Sequence, residues 1–159
     1  MTRILFIPLT TLLFVAFIPL GWHTHRVAGV RVWVPDDWKV ETRNNTLSAT
    51  SPDGEVYVGY IIASASDFEH TLESLTNDLR SVVQDAKFDK THDDFAIDGM
   101  PAWGFGGTGT HDGTPVEMRL ELIYTPKKRV LIVVAVGSHS GLEHHLQEVV
   151  QMLRGIKKA

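Results

Sequence analysis

"IDGMPAWGFGGTGTHDGTPVEMRLELIY", residues 97–124, decides how the chain is read. Within it Gly104, Gly106 and Gly109 have the G-x-G-x-x-G spacing of a loop that cradles a dinucleotide pyrophosphate. That fingerprint works only where a strand enters the glycines and a helix leaves them, so that the helix N-terminus faces the phosphates. Here Gly109 is followed by Thr110-His111-Asp112-Gly113-Thr114-Pro115. Next comes a run in which Val116, Met118, Leu120 and Leu122 alternate with Glu117, Arg119 and Glu121. The glycines therefore lead into a hairpin turn and a second strand, which removes the nucleotide reading. In a strand over residues 102–110, Ala102, Gly104 and Gly106 share one face and Trp103 and Phe105 the other. A smooth backbone surface is left for a close neighbour.

Outward from this hairpin, residues 130–136 are apolar throughout, as in a central strand covered on both faces. Ser140 then reads as the N-cap of a closing helix with a Leu142, Leu146, Val149, Val150, Leu153 stripe and Lys157-Lys158 at its C-terminal end. Upstream, Ser66 and Glu69 have capping-box spacing, and Phe68, Leu72, Leu75, Leu79 and Val82 recur at helical steps. Strands are predicted at 30–34, 46–50 and 55–63, the last two joined through Ser51-Pro52-Asp53-Gly54, with a shorter one near 87–91. The class is α+β: an antiparallel β-sheet with helices packed on it.

A length of 159 residues with 43% hydrophobic and 21% charged side chains predicts one globular domain. Arg3 precedes an uncharged apolar run over residues 4–20, the pattern of a secretory signal or an uncleaved signal anchor. The expected organisation is a signal peptide or signal anchor at 1–29 and a single domain at 30–159, periplasmic or otherwise extracytoplasmic. Membrane contact is then expected only through the N-terminal segment. The chain has no cysteine, so neither a lipid-modified Cys nor a disulfide contributes. Beyond Arg26 acidic residues outnumber basic ones and no Lys/Arg stripe occurs, which argues against nucleic acid as a partner.

Few residues point to chemistry. "GSHSG", residues 137–141, has the outline of a nucleophile elbow, but His139 stands where the nucleophile belongs, between Ser138 and Ser140. Glu143, His144 and His145 with His139 form the densest histidine cluster. Neighbours on a helix diverge by about 100°, so the expectation is solvated side chains and no metal site. His23 and His25 lie at the edge of the export segment, and His111 sits in a turn. The pairs Asp36-Asp37 and Asp93-Asp94 read as loop charge. No catalytic, cofactor-binding or metal-binding residue is assigned.

The run at 97–124, with its Asp98-Gly99-x-Pro101-Ala102 turn, Thr108-Gly109-Thr110 and Asp112-Gly113-Thr114-Pro115, resembles the PsbP/Mog-like superfamily and its bacterial DcrB-like branch. "VRVWVPDDWKVE" and "LSATSPDGEVYVGYIIA" resemble the N-terminal strands of that group. The resemblance implies an α/β/α sandwich and a non-enzymatic accessory or binding role without a cofactor, the expected partner being an envelope protein. Exposed tryptophans, Trp33, Trp38 or Trp103, would be its anchors. The alternative is a small-ligand or metal-binding protein with a pocket between sheet and helix.

Overall fold

The computed structural model describes residues 20–159, so the apolar run expected to direct export falls almost wholly outside the described residues. The element order is β1 (Trp22–His25), β2 (Val30–Trp33), β3 (Lys39–Arg43), β4 (Thr46–Thr50), β5 (Val56–Ile62), α1 (Phe68–Asp78), β6 (Gln84–Phe88) and β7 (Asp93–Ile97). There follow β8 (Met100–His111), β9 (Thr114–Tyr124), β10 (Val130–Gly137), α2 (His139–His144), α3 (Leu146–Arg154) and β11 (Lys157–Lys158). Among the described residues no helix is long and apolar enough to cross a membrane.

An antiparallel sheet of order β3-β4-β5-β10-β9-β8-β6 forms the body, and β7 pairs with β8 beside β6. Every residue of β10 is buried, as its unbroken apolar sequence requires. Leu131, Val133 and Ala135 face one core with Val149, Met152 and Leu153 of α3 and Val30 and Val32 of β2. Ile132, Val134 and Val136 face a second core with Leu75 and Leu79 of α1 and the alternating Met118, Leu120 and Leu122 of β9. The period of two in the strands and of three to four in the helices thus builds a helix–sheet–helix sandwich. A small sheet of order β1-β2-β11 completes the α3 face.

The tight turns are written in the sequence. Asp98-Gly99 and Asp112-Gly113 all have positive φ (49°, 75°, 49° and 77°) and close the β7–β8 and β8–β9 hairpins with two-residue loops. Asn44 and Asn45, at 48° and 62°, do the same between β3 and β4, where the sequence reading had no strand.

Four further expectations shift. The α1 cap is Asp67, whose side chain accepts from the His70 N–H, in place of Ser66. Ser138 caps the C-terminal helix by accepting from the Gly141 N–H, so Ser140 lies inside it. That helix is interrupted at His145, which has φ −98° and ψ 18°. The ordered fold also begins upstream of residue 30: β1 pairs with β2 from Trp22↔Trp33 to His25↔Val30.

Candidate functional site

Glycines 104 and 106 line a cleft of about 830 Å³ between the sheet and α3. A Cβ on Gly104 would lie 2.8 Å from the Phe95 ring, and one on Gly106 would lie 2.8 Å from Asp89 Oδ2. The close neighbour expected at this smooth face is therefore the chain's own: Phe95 of β7 and Asp89 of the β6–β7 connection. Asp89 also accepts the Gly106 N–H at 3.0 Å. Opposite these glycines on β9 stand Glu121, paired with Gly104, and Arg119, paired with Gly106.

Glu121 is the unusual group. Its side chain is 4% exposed, and Oε1 accepts from Arg154 Nε at 3.1 Å. Oε2 is buried without a hydrogen-bond partner among the described residues. Burial pushes the carboxyl above the usual Glu value, with the Arg154 hydrogen bond and charge opposing it. The Arg154 guanidinium lies 4.7 Å from the Phe95 ring centroid, so it caps this end of the cleft. Further along, Arg119 Nη2 donates to Glu143 at 3.2 Å. A buried carboxyl of shifted acidity beside a roomy cleft makes this the candidate site. The alternation in the sequence puts Glu121 with Glu117 and Arg119, opposite the apolar face of the strand. What it could not show is that α3 and its Arg154 would cover that position.

A second polar cluster lies at the α2–α3 joint. His145 meets Asp53 Oδ2 through Nε2 and Glu148 Oε2 through Nδ1, both at 2.7 Å. Carboxylate oxygens only accept, so the two contacts together favour the imidazolium form, in which both ring nitrogens donate. Burial works against this charge, but the hydrogen bonds and charges of Asp53 and Glu148 outweigh it and raise the histidine's pKa. Hydrogen bonds from Ser51, His145 and the Glu55 N–H hold the Asp53 carboxyl well below its ordinary value. The order is Ser51–Asp53–His145, with the carboxylate in the middle. A hydroxyl nucleophile needs the imidazole next to it, so this chain of contacts activates no serine.

The remaining predicted residues are dispersed. Ser138 caps α2, Ser140 lies 3.3 Å from it, and His139 meets Glu117 at 3.1 Å. His111 Nδ1 donates to the Val82 carbonyl. His23 is half-buried in β1, while His25 is buried, its Nδ1 accepting the Ala28 N–H. Asp36 and Asp37 are exposed in a turn, whereas Asp93 and Asp94 open β7 instead of lying in a loop. Of the three tryptophans expected as exposed anchors, Trp38 is buried and Trp33 and Trp103 are half-buried. Trp38 is 4% exposed because it packs in the core, and Trp33 packs against that core. Trp103 is half-covered between Phe68 and His92, the latter stacked on it at 3.9 Å.

Sandwich, turns and cleft together define a helix-flanked antiparallel-sheet fold of the PsbP-like kind. The structure is similar to that of the cyanobacterial PsbP (CyanoP) of Synechocystis, with a TM-score of 0.62 at 7% identity, covering 90% of this chain and 96% of that one. It is also similar to LpqN of Mycobacterium tuberculosis, a protein involved in cell envelope biogenesis. There the TM-score is 0.54 at 13% identity over 80% of this chain and 82% of that one. No protein-family model matches the chain, and no curated protein matches it in sequence. The likeness establishes the PsbP-like fold; the DcrB-like branch rests on the sequence motifs alone.

Proposed function

We propose that this chain is a non-enzymatic, extracytoplasmic binding module that docks onto an envelope protein by receiving one of its segments in the cleft between β8, β9 and α3. The observation that carries the reading is the cleft itself, lined by Gly104 and Gly106 and floored by the half-paired Glu121. Its rim holds Lys87 and Arg119 as well as Asp89 and Glu117, and charges of both signs suit a polypeptide better than a polyphosphate. The apolar run at 4–20 supports export, and the envelope role of LpqN, a protein of the same fold, agrees with it.

Site-directed photo-crosslinking in intact cells tests this. A crosslinker at Thr108 or Val150, both on the cleft, is expected to capture one envelope protein. At Leu72, exposed on α1 across the sheet, it is expected to capture none. The same adducts from all three positions, or none from the cleft, would remove the proposal. A reporter that is active only after export, fused behind Ala159, checks the compartment independently.

A further inference from the structure

We propose that Asp53, His144 and His145 form a site for one divalent transition cation of the zinc or copper kind, with Glu148 orienting the His145 ring. One ligand atom from each of the three residues lies within 4.8 Å of the others. On a continuous helix adjacent histidines diverge, but the chain leaves helical geometry at His145. The two rings consequently stand 4.8 Å apart and nearly perpendicular, at the tip of the β4–β5 turn that carries Asp53.

Each ligand is prepared differently. Asp53 is fixed through Oδ1 by Ser51 Oγ and the Glu55 N–H, which leaves Oδ2 to point at His145. His145 is held at Nδ1 by Glu148 and on its side by the edge-on ring of Trp38, 5.4 Å away. A carboxylate on the far nitrogen of a ligating imidazole is the arrangement that fixes ring orientation and raises ligand basicity. His144 is exposed and free to swing onto the ion.

The cation takes the place of the proton between Nε2 and Asp53 Oδ2, and that proton leaves to solvent; the Nδ1–H keeps its bond to Glu148. Ligands about 2.0–2.1 Å from a tetrahedral ion sit roughly 3.3 Å apart, so the 2.7 Å contact opens by about half an ångström. Two imidazoles and one carboxylate favour zinc or copper over magnesium or calcium, and water completes the shell.

Calorimetric titration of zinc chloride into the purified full chain is the test. One-to-one binding at micromolar or tighter affinity is expected. His144→Ala should weaken it at least about tenfold and Glu148→Gln about 10–100-fold, while His139→Ala, in a different ion pair, leaves it unchanged. Because His144 is exposed, His144→Ala should keep the melting temperature of the metal-free chain, which separates lost ligation from lost folding. In parallel, copper(II) should quench tryptophan fluorescence through Trp38 in the wild type and much less in His144→Ala. No saturable zinc binding by about 100 μM, or wild-type affinity in both His144→Ala and Asp53→Asn, overturns the proposal. Loss of binding in His139→Ala alone does so too, because it puts the ion elsewhere.

Discussion

Glu121 and Arg154 meet 3.1 Å apart on unequal terms: the carboxyl side chain is 4% exposed and the guanidinium side chain 59%. The pair is therefore a buried acid tethered to a largely hydrated base. Taking the acid out of water costs more than the single hydrogen bond returns, which is why its affinity for a proton rises.

That imbalance sets a pH dependence. The folded-state pKa of Glu121 is raised above the unfolded value, so its favourable contribution is complete at acid pH and is lost as pH rises through the folded pKa. Urea unfolding of wild type and Glu121→Gln across pH 4 to 7 should show the variant gaining on the wild type as pH increases. Parallel curves would show that Glu121 carries no such penalty. Arg154→Ala, which leaves the buried carboxyl without its donor, should cost about 1–3 kcal/mol at neutral pH and less in acid.

Gly107 carries a different constraint. A Cβ there would lie 2.6 Å from the Lys87 carbonyl oxygen, a backbone atom locked in the β6–β8 ladder. Gly107→Ala should destabilise the protein by about 1–3 kcal/mol. Gly113→Ala meets nothing within 4 Å but sits at φ +77°, so its cost, about 1 kcal/mol, is backbone strain alone. Thermal melts of the two variants separate crowding from conformation.

Strand β1 is integral to the small sheet, with His25 buried at its end. Removing residues 1–29 should therefore lower stability by at least about 2 kcal/mol relative to removing residues 1–20, measured by denaturant unfolding. Equal stability would mean that β1 is dispensable.

Burial holds the His25 imidazole below its ordinary pKa, against the backbone carbonyls of Tyr60 and Asn45 that favour its charged form. A depressed histidine contributes stability that is full above pH 6.5 and is lost as pH falls through the folded pKa. His25→Asn keeps an acceptor for the Ala28 N–H and removes the titration. Its stability should fall less than that of wild type between pH 6.5 and 4.5.

The long hairpin of β8 and β9, the buried β10 and both amphipathic helices were legible because side-chain period and Asp-Gly turn chemistry agree there. β3 escaped notice because Asn44-Asn45 carries a weaker turn signal than Asp-Gly, and its residues, mostly exposed, show no apolar face. The family resemblance pointed correctly to the PsbP-like fold. The sites were less readable. Glu121 meets residue 154 across 33 positions of sequence, and Asp53 meets residue 145 across 92. Both are contacts between distant parts of the chain that no local pattern announces. Trp38 misled because a large aromatic ring serves a core as readily as a docking surface.

The small sheet has a mechanical consequence. β2 holds β1 on one side and β11 on the other; β11 is joined to it by two residue pairs, Lys157↔Arg31 and Lys158↔Val30, with the Ala159 N–H donating to the Gly29 carbonyl and the Lys158 N–H to Asp98. If the molecule is pulled between Trp22 and Lys158, this clasp carries the load before the eight-stranded sheet does. The first event under tension is the peeling of β11, a small extension that spares the cleft, with rupture of the main body as a separate, later step.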